Sequence, residues 1–128
     1  MKTYTKGELE SAKLICDEIR RGYEQIRHVG FYDFLGKILY DSQRDQLVPL
    51  EGVEEMHILN GTVATTLALW KRSDHLIGES LAFIMIRKKI VGLIVPRTDD
   101  GSYFLAIFEK ETPISVVEKV RRELSDAE

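Results

Sequence analysis

Ser80-Leu-Ala-Phe-Ile-Met-Ile-Arg-Lys-Lys-Ile-Val-Gly-Leu-Ile-Val95 holds two apolar runs joined by three cations. In the first run Leu81, Phe83 and Met85 would point to one face of a strand, and Ala82, Ile84 and Ile86 to the other. A strand that is apolar at both parities needs cover on both faces. Lys88-Lys89 is a turn composition, as is Pro96-Arg-Thr-Asp-Asp-Gly101, and Tyr103 to Phe108 follows as a third run. The pattern predicts an antiparallel meander with strands at Ser80 to Arg87, Ile90 to Val95 and Tyr103 to Phe108.

Outward from the meander, Thr112 is placed to cap a last helix and Pro113 to take its first position. Ile114, Val117, Val120 and Leu124 form its apolar face. On the N-terminal side, Val53, Met56, Asn60, Val63, Leu67 and Trp70 keep a helical spacing from about Glu51 to Lys71, with Asn60 the polar intruder. Before that, His28 to Phe34 and Lys37 to Tyr40 read as a hairpin around Gly36, and the polar stretch Asp41 to Gln46 ends it. Thr5 and Glu8 have capping-box spacing. The stripe Leu9, Ala12, Cys16, Ile19, Tyr23, Ile26 extends the first helix from Lys6 to about Arg27. The expectation is one α+β domain over residues 1–128, a five-stranded antiparallel sheet with helices on both faces, in the order α-β-β-α-β-β-β-α.

Composition narrows the function. The chain has 128 residues, 44% hydrophobic and 30% charged, with a formal net charge of −3. Its basic residues are scattered, which argues against nucleic acid. The longest apolar run, Leu81 to Ile86, is far short of the roughly 20 residues that span a bilayer. The N-terminus lacks an apolar signal region, so a cytoplasmic location is expected and no membrane insertion. Cys16 is the single cysteine and sits among apolar helix positions, as a small buried hydrophobe does.

Chemistry-bearing residues do not assemble into a motif. His28, His57 and His75 have no metal-ligand partner at helical spacing, so no metal is expected. The pairs Glu54-Glu55 and Asp99-Asp100 are adjacent, which on a helix turns their side chains about 100° apart and in a turn marks solvation. Ser73-Asp74-His75 has the composition of a triad, but three consecutive loop residues do not make its geometry. Nucleophile elbows and phosphate-cradling glycine loops are absent from the sequence. No catalytic residue and no cofactor is expected.

The element order resembles the roadblock and dynein-light-chain superfamily, to which profilin and longin folds are similar in plan. Ile26-Arg27-His28-Val29-Gly30-Phe31, Leu35-Gly36-Lys37, Val48-Pro49-Leu50 and Arg87-Lys88-Lys89-Ile90-Val91 resemble small archaeal proteins of the same layout. The first hairpin turns through Phe34-Leu35-Gly36, where many relatives carry Asp-Gly. The resemblance implies a non-enzymatic adaptor or regulatory module that dimerises and binds small GTPases, motor subunits or signalling proteins. The alternatives are a small-ligand sensor with a pocket between sheet and helix, similar to PAS domains, and an enzyme without a recognisable motif.

Coverage points to a second copy. Five strands make a sheet roughly 20 Å wide, and a helix covers about 10 Å of it. With the first and last helices on one face, as the resemblance implies, the central helix lies alone on the other and leaves apolar sheet beside it. The strand at Ser80 has no internal proline or charge to protect an edge. Homodimerisation is expected there, through candidates Val63, Leu67, Trp70, Phe83 and Met85, some of which must also serve the chain's own core.

Overall fold

The computed structural model describes residues 3–44, 63, 65–66, 82–86, 90–97 and 101–126, with Phe83 and Met85 described by backbone alone. Helix α1 spans Lys6–Gly22 and opens on the expected capping box. The Glu8 amide donates to Thr5 Oγ1 at 3.1 Å, and the Thr5 amide to Glu8 Oε1 at 3.5 Å. The helix stops short of Arg27. Gly22 weakens its last turn and Tyr23 is already extended, at φ −139° and ψ 114°. Ile26, which keeps the helical spacing, instead opens strand β1, Ile26–Tyr32.

Strand β2 (Ile38–Gln43) follows through a loop built on Asp33, whose Oδ1 accepts from the Leu35 and Lys37 amides, each at 2.9 Å. Gly36 takes φ 83°, so the reversal falls where its glycine was read. Asp41 does not end the strand: β2 runs on through Asp41 and Ser42 because both find side-chain partners, described below. The meander comprises β3 (Phe83–Ile86), β4 (Ile90–Pro96) and β5 (Tyr103–Glu109). The five strands form one antiparallel sheet in the order β2-β1-β5-β4-β3.

Helix α2 spans Ile114–Asp126. Thr112 does not cap it. Its hydroxyl donates backwards to the Glu109 carbonyl at 2.6 Å, and the Pro113 carbonyl receives the first helical amides, those of Val116 and Val117. Val117, Val120 and Leu124 are buried as expected, whereas Ile114 is 63% exposed. Ile114 lies on the flank of the helix, turned away from the sheet-facing stripe of the other three.

Both sides of the sheet are packed. On one, Ala12, Cys16 and Ile19 of α1 and Val117, Val120 and Leu124 of α2 meet Val29, Phe31, Leu93, Phe104 and Ala106. On the other, Tyr32, Ile90, Ile94, Tyr103, Leu105 and Ile107 form a second cluster with Val63, which is helical. Strands β4 and β5 are buried at every position but their last, which is what apolar residues at both parities demand. The largest core side chains are aromatic, with Phe31 and Phe104 rings 5.1 Å apart on the helical face and Tyr32 and Tyr103 stacked at 5.1 Å on the other. Of the predicted central helix, Val63, Thr65 and Thr66 are described, all three helical, and the rest lies outside the described residues.

Candidate protein-interaction surface

The strand order leaves β2 and β3 at the two edges of the sheet. On β3, Ile84 pairs with Leu93 and Ile86 with Val91, both in the cluster on the α1/α2 side, so the two isoleucines belong to that face. Helix α1 lies mainly over β1 and β2, and α2 over β4. Ile84 is consequently 45% and Ile86 75% exposed on a strand at the edge. These are the largest apolar side chains the described sheet presents to solvent beyond the hairpin around Leu35 and Ile38.

Of the five residues expected at an interface, Val63 is 3% exposed and packs in the second core cluster. It serves the chain's own core, as some of the five were expected to do. Phe83 and Met85 lie on β3, paired with Ile94 and Gly92, with their side chains outside the described residues. Leu67 and Trp70 lie outside them altogether. Sequence reading passed over Ile84 and Ile86, because a run apolar at both parities does not say which parity is left uncovered. The position of α2 over β4 decides that.

The chemistry-bearing side chains gather at the other edge. His28 lies within β1, buried, with Nδ1 2.5 Å from Asp41 Oδ1. Gln43 Nε2 donates to Asp41 Oδ2 at 2.7 Å. Burial opposes ionisation of Asp41, but the hydrogen bond and charge of His28 and the amide of Gln43 outweigh it and hold the carboxyl below its usual range. His28 Nε2 and the hydroxyls of Tyr32 and Tyr103 are buried without partners. On the helical face, Tyr40 donates to Asp17 at 2.8 Å and Arg20 Nε to Ser42 Oγ at 2.8 Å, stitching α1 to β2. Arg27 and Arg44 both donate to Glu109 Oε1 at 2.7 Å, closing the end of the sheet.

The single cysteine is buried, and burial followed by the nearby carboxylates of Asp17 and Asp41 pushes its thiol up to about 12. Among the described residues no three His, Cys, Asp or Glu side chains come together as metal ligands. His57, His75, Glu54-Glu55 and Asp99-Asp100 lie outside them. A groove of about 440 Å³ runs between α1 and α2, lined by Ile15, Glu18, Ile19, Tyr23, Lys119 and Glu123. It opens to solvent on the helical side, unlike the enclosed sheet-to-helix pocket a sensor would need. No described helix is long and apolar enough to cross a membrane.

The arrangement recurs in solved structures. The gliding protein MglB of Thermus thermophilus superposes with a TM-score of 0.75 at 16% identity, over 98% of this chain and 90% of that one. A roadblock/LC7 domain from Streptomyces avermitilis gives 0.63 at 7% identity, over 88% of each chain. The fold is of the roadblock type. A further structure, MglB with a tetrameric arrangement, gives 0.74 at 16% identity over 98% and 89%. At such identities the likeness speaks for the roadblock-type fold, not for an activity, nor for the expected archaeal affinity. No protein-family model matches the sequence, and no curated protein does.

Proposed function

We propose that this roadblock-type chain is a non-enzymatic, homodimeric adaptor or regulatory module that acts in the cytoplasm on a protein partner of the small-GTPase or signalling class. The observation that carries the reading is the β3 edge: an unpaired strand at the rim of the sheet bearing Ile84 and Ile86 with 45% and 75% of their surface open. Such an edge is a template for another strand. A copy related by a two-fold axis pairs it in antiparallel fashion, joins two five-stranded sheets and removes both apolar edges at once. The contacts assigned to this interface are Phe83 and Met85 on β3, with Leu67 and Trp70 from the predicted central helix. The regulatory reading is further supported by fold likeness to a gliding protein.

Size exclusion with light scattering tests it. Wild-type protein is expected at about twice the 14.7 kDa chain mass, and Ile86→Asp at the single-chain mass with an unchanged far-UV spectrum. A wild-type monomer at high micromolar concentration, or an Ile86→Asp variant still at twice the chain mass, sinks the proposal.

A further inference from the structure

We draw no further inference here: the strongest candidate, the open groove between α1 and α2 lined by Ile15, Ile19 and Tyr23 together with Glu18, Lys119 and Glu123, carries none, because its side chains mix both signs of charge and nothing in the structure shows what covers it.

Discussion

The two edges of the sheet are finished in opposite ways. Strand β2 is completed inside the chain: Tyr40 and Ser42 are tied to α1 on one face, and Asp41 holds His28 on the other, with Gln43 as a second donor. Strand β3 has an apolar pair, Ile84 and Ile86, left in water. The open isoleucine of β2, Ile38, sits at the hairpin where the strand begins, and the polar residues beyond it find partners locally, whereas β3 carries its exposed pair along the strand; this assigns stability to β2 and association to β3.

That division is breakable. The largest loss of stability is expected from Gly30→Ala, on β1 beside β2. A Cβ there would sit 2.7 Å from Tyr32 Cε1, under a ring that is fully buried and stacked on Tyr103, and forcing it aside costs about 1–3 kcal/mol. Chemical denaturation is expected to show that loss with the mass by light scattering unchanged. Asp41→Ala comes next, at about 1–2 kcal/mol, because it strands the buried His28 ring with neither nitrogen paired.

The pH dependence separates Asp41 from its neighbours. Asp41, Asp17 and Glu109 all have folded pKa values below the ordinary carboxylate range. In each, burial opposes ionisation and is outweighed: in Asp17 chiefly by Ser42 and Tyr40, in Glu109 by Arg44 and Arg27. A carboxyl that is more acidic folded than unfolded contributes its full stability above its unfolded pKa, near 4, and that contribution is lost as pH falls through the folded value. Wild-type denaturation midpoints are therefore expected to drop from pH 6 to pH 3, and Asp41→Ala to drop less steeply. Parallel slopes would remove Asp41 from the acid response.

Tyr40→Phe deletes one half-exposed hydrogen bond to Asp17 and is expected to cost about 0.5–1.5 kcal/mol, seen as a lower urea midpoint at constant slope. The smallest effect on folding belongs to the other rim. Ile84→Ser changes a side chain already half in water, and the unfolding free energy of the single chain is expected to move by no more than about 0.5 kcal/mol. Its effect is to weaken self-association, read as a lower average mass on dilution. If Ile84→Ser unfolds the chain instead, the edges are not divided as described.

How far the sequence speaks is visible in the same residues. Capping at Thr5 and Glu8, the reversal at Gly36 and the meander were legible because each is a local signal with one physical meaning. The end of α1 was not, since Ile26 satisfies the helical period and the strand period alike, and only the burial available between β2 and β5 decides for the strand. Asp41 and Ser42 read as a break because their partners, His28 and Arg20, are 13 and 22 residues away. At the candidate site, the existence of an unprotected apolar edge was readable. Which parity of its residues stays in water was not, because that depends on which strands α1 and α2 rest over.

Cys16 carries a practical corollary. A thiol with no solvent contact and a pKa near 12 is almost wholly protonated at the pH where maleimides and spin labels are used, so the native chain is silent to them. A cysteine introduced at an exposed site such as Ser115 becomes the sole reactive sulfur without any change to the core. Two copies labelled there would report the separation of their α2 helices as a single distance.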